Sequence, residues 1–189
     1  MQAQAFSGRD LMIFGAGMLM GLAAGRIAPP VAGRALGSMS GMAGRDPFDA
    51  LTQDHRKLLA LFDIIEQTDD SARLRRSTLL FQLKRMLTAH ALAEEDIIYP
   101  MLRDDAQRQE MASQLYREHA EMKVRLFELE HQAKDNPGWI DRLRELREII
   151  AGHARQEEDS EFPRLRQVLG SDGKARLLGE IRREKGLLL

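Results

Sequence analysis

The chain has no cysteine among its 189 residues, which rules out disulfides, thiolate-held iron–sulfur clusters and a cysteine nucleophile and leaves the redox compartment open. Nor is there an excess of charge: 28 basic side chains stand against 29 acidic ones, so nothing in the total calls for nucleic acid or another polyanion as partner. Threonine and valine are scarce, and long stretches lack both proline and glycine. That composition argues for helices built from Leu, Arg and Glu. The longest uncharged apolar run, Leu11 to Gly25, is fifteen residues, short of the roughly 20 needed to span a bilayer.

Composition changes sharply near residue 45. Residues 1–45 hold most of the glycines and a single acid, Asp10, whereas residues 46–189 are charged and helix-favouring and long enough for one compact core. The apolar run reaches residue 28 if Arg26 snorkels. Glycines at 17, 21 and 25, and again at 33, 37 and 41, leave a smooth groove of the kind used in small-xxx-small helix packing. Pro29-Pro30 separates the two stretches. The expectation is a membrane anchor through residues 11–28 that also self-associates into a homo-oligomer. A cleaved secretory signal and a soluble oligomerisation arm are the alternatives. If the segment spans, Arg26, Arg34 and Arg45 against Arg9 alone keep the remainder on the cytoplasmic side of the inner membrane. Cleavage would export it, and a soluble arm would leave it in the cytoplasm.

The second part divides into helices. Asp46-Pro47 opens the first, which carries Leu51, His55, Leu58, Phe62 and Ile65 at helical spacing and stops near Thr68. Ser71 is the expected cap of a second, running to about Leu102 with Leu80, Leu83, Leu87 and His90 on one stripe and Pro100 bending or ending it. A third, over about residues 105 to 134, carries Leu115, His119, Met122, Leu126 and Leu129. Asn136-Pro137 then starts a fourth with Leu143, Leu146, Ile150 and His153 inward, and Ser171 caps a short fifth with Leu177, Leu178 and Ile181. Four long helices with short connections predict an all-α fold, an antiparallel up-down four-helix bundle. A short C-terminal helix follows it, and a Gly-rich apolar helical segment precedes it.

One motif occurs twice. His90-Ala-Leu-Ala-Glu94-Glu95-Asp96-Ile-Ile-Tyr99-Pro100 returns as His153-Ala-Arg-Gln-Glu157-Glu158-Asp159-Ser-Glu-Phe162-Pro163, identical at six of eleven positions. His55 precedes His90 by 35 residues and His119 precedes His153 by 34, while the apolar residues after His55 recur at the same offsets after His119. The pattern is that of an internal repeat, two helical hairpins about a pseudo-twofold axis. Residues four apart on a helix share a face, about 40° apart and roughly 6 Å along the axis, so each histidine stands over its glutamate. Imidazole plus carboxylate suits iron, manganese or zinc, and a carboxylate can bridge two ions. Four histidines and two glutamates therefore supply two imidazoles to each of two cations, with two bridges. One buried histidine is usually a hydrogen-bonded core residue; four at matched depth, two with glutamate one turn on, point to metal.

These features resemble the hemerythrin family, in particular its bacterial HHE cation-binding branch, over about residues 48 to 168. The resemblance implies a four-helix bundle around an oxo- or hydroxo-bridged non-haem di-iron centre. His55, His90, His119 and His153 would be terminal ligands and Glu94 and Glu157 the bridges. Glu95 and Glu158, about 100° further round the helix, are the alternative bridges or outer partners. Oxygen-carrying hemerythrins have a further histidine four residues after the third-helix histidine, where this sequence has Lys123. An open position there favours small-molecule chemistry. The implied function is binding of or reaction with O2, H2O2 or NO as sensor, scavenger or redox enzyme. The alternative is an iron-handling or structural metal-binding module without turnover.

Four other residues stand near these positions or share their chemistry. Tyr116, one turn before His119, either hydrogen-bonds to a ligand or packs in the core. Lys123 either points away or meets a bound anion. Trp139 reads as a packing residue and His131 as surface.

Overall fold

A computed structural model describes residues 46–105 and 107–187. The expectations for residues 1–45 (anchor, signal or oligomerisation arm, and the apolar helical segment) lie outside the described residues. Among the described residues no helix is long and apolar enough to cross a membrane.

Among the described residues seven α-helices form the fold: α1 Pro47–Glu66, α2 Arg73–Ala93, α3 Tyr99–Asp104, α4 Gln109–His131, α5 Trp139–Gln156, α6 Phe162–Val168 and α7 Ser171–Gly186. Two wide π-helical turns, Glu94–Ile98 and Glu157–Glu161, join α2 to α3 and α5 to α6. The second and fourth long helices of the sequence reading are thus each one run with a π turn inside it. The all-helical bundle is as expected: α1 packs on α2 and α5, α4 packs on α5 and approaches α2, and α7 lies across α1 and α2.

One residue separates each π turn from a proline, Pro100 or Pro163. In a regular helix a proline ring would strike the carbonyl four residues back. A turn closed by i→i+5 bonds, Tyr99 N–H to the Glu94 carbonyl and Phe162 N–H to the Glu157 carbonyl, widens the helix there. Pro100 therefore does not end the helix, which runs to Asp104, close to the expected end near Leu102; both prolines accompany a change of register.

Several predicted starts are displaced. Asp46 caps α1 as expected, accepting from Phe48 N–H at 2.9 Å. Ser71 does not cap α2: its N–H and hydroxyl both donate to Asp69 at 2.8 and 2.6 Å, and Ala72 occupies the cap. Asn136-Pro137 forms a turn ahead of α5, with Asn136 accepting from Gly138 N–H, so the helix begins at Trp139. The third helix starts at Gln109, because Asp105 is extended and breaks the run. Ser171 is the first residue of α7, behind Gly170.

The apolar interior has two layers. One gathers Leu58, Phe62, Ile65, Leu83, Leu126, Leu143 and Trp139 among others; the second gathers Phe48, Leu51, Ile98, Tyr99, Leu115, Phe162 and Ile181. His55 falls between Leu51 and Leu58, and His119 between Leu115 and Met122. The polar residues occupy the seam between the layers, walled on both sides by aliphatic and aromatic groups. Trp139 is a core residue as read, its indole N–H donating to the Leu129 carbonyl at 3.0 Å, and His131 is exposed.

Candidate metal centre

The helical period brings His55 from α1, His90 from α2, His119 from α4 and His153 from α5 into the seam, each at most 4% exposed. Glu94 and Glu157, the first residues of the two π turns, are fully buried between them. Donor atoms of His55, His90, Glu94 and Glu157 all lie within 4.8 Å of one another, as do those of Glu94, His119 and His153. The six residues singled out as ligands are therefore in one place.

Each carboxylate faces both histidine pairs. Glu94 Oε1 is 3.1 Å from His90 Nε2 and 3.7 Å from His55 Nε2, while its Oε2 is 3.5 Å from His119 Nε2. Glu157 Oε2 is 3.3 Å from His55 Nε2, and its Oε1 is 3.4 Å from His153 Nε2. Ligand atoms about 2.1 Å from one cation stand roughly 3.0 to 3.4 Å from each other, close to the 3.1 to 3.7 Å observed. Both oxygens of Glu94, Oε2 of Glu157 and the Nε2 atoms of His55 and His90 have no hydrogen-bond partner among the described residues although buried. Orphaned lone pairs of this kind are rare in native interiors, and their convergence makes the cluster compatible with metal binding.

Three of the four outer nitrogens are held by carboxylates. His55 Nδ1–H donates to Glu158 at 2.8 Å and His119 Nδ1–H to Glu95 at 2.9 Å. Each bond runs from one hairpin to the other. His153 Nδ1–H donates to Glu118 at 2.8 Å, and His90 Nδ1 lies 3.8 Å from Asp54. A proton on Nδ1 leaves the Nε2 lone pair aimed inward, the tautomer a metal ligand needs. Glu95 and Glu158 thus stand behind histidines, and Glu94 and Glu157 are the pair that faces both histidine groups.

Asp54 and Glu118 were not singled out from the sequence. The available signal is that an acid immediately precedes both His55 and His119. Asp54 is in turn paired with Lys185 of α7. Lys123 points away from the cluster: its ammonium donates to both oxygens of Glu95 at 2.6 and 2.9 Å. Beside it a cavity of about 20 Å³, lined by Leu87, Met122 and Leu126, reaches His119. Tyr116 donates to the Glu95 carbonyl at 2.6 Å rather than to His119.

Tyr99 was quoted in the motif but given no role, and it lies inside the site. Fully buried, its hydroxyl donates to Glu157 Oε1 at 2.9 Å and stands 3.0 Å from His119 Nε2 and 3.2 Å from His153 Nε2. The i→i+5 turn carries it over Glu94, whereas five residues of α-helix would put it about 140° away. The second π turn does the same for Phe162, whose ring lies parallel to that of His55 with centroids 6.1 Å apart.

Without a cation, the charges balance through protons. Burial alone would lower the His55 pKa, but Glu157 and Glu94 outweigh it and raise it to about 11. His153 is likewise pulled down by burial and raised by Glu157 and Glu118 to about 10, and His119 is raised by Glu94 and Glu95 against its burial. Burial pushes Glu94 up, yet His90, His119 and His55 hold it well below the usual carboxylate range. Burial, followed by Glu94 and Glu157, pushes the Tyr99 phenol up. The protons that these two buried carboxylates hold on the imidazoles are what a divalent cation would displace.

Comparison with known proteins agrees with this geometry. The chain is 35% identical over 127 residues to a DNA nickase of Nostoc sp., a match covering 66% of this chain and 34% of that protein. It is 26% identical over 141 residues to an uncharacterised hemerythrin-like protein of Schizosaccharomyces pombe, covering 72% of this chain and 68% of that one. The chain thus spans about a third of the length of the nickase. A family model for the hemerythrin HHE cation binding domain matches residues 46–165, taking in all six clustered residues, and the chain belongs to that family.

Proposed function

We propose that the bundle holds two iron ions and that this non-haem di-iron centre binds or reacts with a small ligand, O2, H2O2 or NO, as sensor, scavenger or redox enzyme. His55 and His90 hold one ion, His119 and His153 the other, and Glu94 and Glu157 bridge them. The observation that carries this reading is the placement of each carboxylate, one oxygen toward each histidine pair. Manganese or zinc would suit the same donors; bound iron supplies open coordination positions and one-electron chemistry. The apolar walls limit water, and the cavity of about 20 Å³ beside His119 has room for a water-sized molecule, which favours a diatomic or peroxide over a larger substrate.

Anaerobic reconstitution followed by metal analysis tests the centre, with two ions per chain expected and fewer than one defeating the reading. Stopped-flow mixing of the reduced protein with O2, H2O2 and NO tests the chemistry. Silence toward all three would leave metal handling or a structural role.

A further inference from the structure

The two halves of the cluster differ in how tightly their donors gather. Among the described residues, His55, His90, Glu94 and Glu157 all come within mutual ligand reach on one side; on the other Glu94, His119 and His153 do so, with Glu157 Oε1 3.4 Å from His153 Nε2. The Tyr99 hydroxyl is on this second side, 3.0 Å from His119 Nε2, 3.2 Å from His153 Nε2 and 2.9 Å from Glu157 Oε1. Those separations match the spacing of ligands around one cation. On the other side the corresponding residue is Phe162, which has no donor.

We infer that Tyr99 is itself a ligand, supplying a phenolate oxygen to the cation held by His119 and His153. This rests on the two-cation reading above. The phenol is placed by rigid parts: its ring meets Tyr116 edge-on at 5.0 Å, Tyr116 is tied to the Glu95 carbonyl, and the π turn orients the backbone at Tyr99. On loading, the phenolic O–H bond breaks, the oxygen keeps the electron pair and bonds to the cation, and the proton leaves to solvent. Glu157 Oε1, which accepts that proton's hydrogen bond in the metal-free chain, becomes free to ligate. The two metal positions are then chemically distinct: one carries a phenolate, and the other faces the apolar ring of Phe162.

Ferric phenolates have a charge-transfer absorption, and resonance Raman excitation within it enhances tyrosine ring modes. The full-length protein is loaded with iron, oxidised and examined this way. The sequence has two tyrosines, Tyr99 and Tyr116, so both can be tested. Tyr99→Phe should bind two ions yet lose the band and the ring modes, and should release one proton fewer per chain on loading in weak buffer. Tyr116→Phe should keep all three signals, and it assigns the modes by elimination if Tyr99→Phe does not fold. Two ions bound by the unsubstituted chain with no ring modes, or modes that survive Tyr99→Phe, would overturn the phenolate while leaving the centre intact. Failure to bind two ions would instead overturn the reading beneath it.

Discussion

Lys123 and Glu95 form a two-pronged ion pair, with the ammonium 2.6 and 2.9 Å from the two carboxylate oxygens, and the same carboxylate accepts His119 Nδ1–H at 2.9 Å. The lysine at the position of the oxygen carriers' extra histidine therefore reaches the centre only through an intermediate carboxylate. Lys123 is 58% exposed, so Lys123→Ala should change stability by less than about 1 kcal/mol. The number of ions bound should stay the same. Loss of an ion on metal analysis would mean that the lysine does more than steady Glu95.

The glutamates next to each other in sequence have separable roles. Glu94→Ala or Glu157→Ala should reduce the bound metal to one ion per chain or fewer. Glu95→Gln, Glu158→Gln or Glu118→Gln should leave both ions in place but weaken binding by roughly 10- to 100-fold, the usual effect of losing a histidine's outer partner. Titration of each variant with ferrous iron distinguishes the outcomes, and the reverse ranking would exchange bridges and outer partners.

Metal-free protein should be most stable in mildly acidic solution. His55 and His153 are raised from the ordinary 6.5 to about 11 and about 10, so their contribution is complete below about pH 6.5 and is lost as pH climbs toward those values. Glu94 and Glu157 are lowered from 4.5, so theirs is present above that pH and lost on acidification. Loading requires neutral imidazoles and should reverse the alkaline slope, stabilisation by metal growing as pH rises. Melting curves with chelator and with metal check this; a metal-free Tm that rises between pH 6.5 and 9 would contradict it.

Stability and metal binding should come apart at the far end of the bundle. Arg76, 1% exposed, donates to the Thr68 hydroxyl and carbonyl, the Lys134 carbonyl and Asp70, and lies over the Trp139 ring. Arg76→Ala leaves the Thr68 hydroxyl and carbonyl without their donor and should cost about 1–3 kcal/mol by chemical denaturation, while the folded variant still binds two ions. A milder loss, below about 1 kcal/mol, would show that water takes over these contacts.

The four histidines and Glu94 and Glu157 were legible because helix geometry alone relates residues four apart, and because the same motif recurs with the same apolar neighbours. The starts of α2 and α5 were misplaced because Asp69 and Asn136 each take a backbone N–H into a local turn, a competition that composition does not settle. Asp54 and Glu118 had a signal in the acid before each histidine, yet a charged residue beside a buried one is ordinary on an amphipathic helix.

The sequence by itself determined the fold class and which four histidines and two glutamates come together, since both follow from local period and spacing. Only the tertiary structure decided which carboxylate backs which histidine, because Glu95 and Glu158 reach across to the opposite hairpin. It also decided that Tyr99 enters the centre. A helical wheel turns Tyr99 away from Glu94, and the π turn before Pro100, formed within the packed bundle, turns it back.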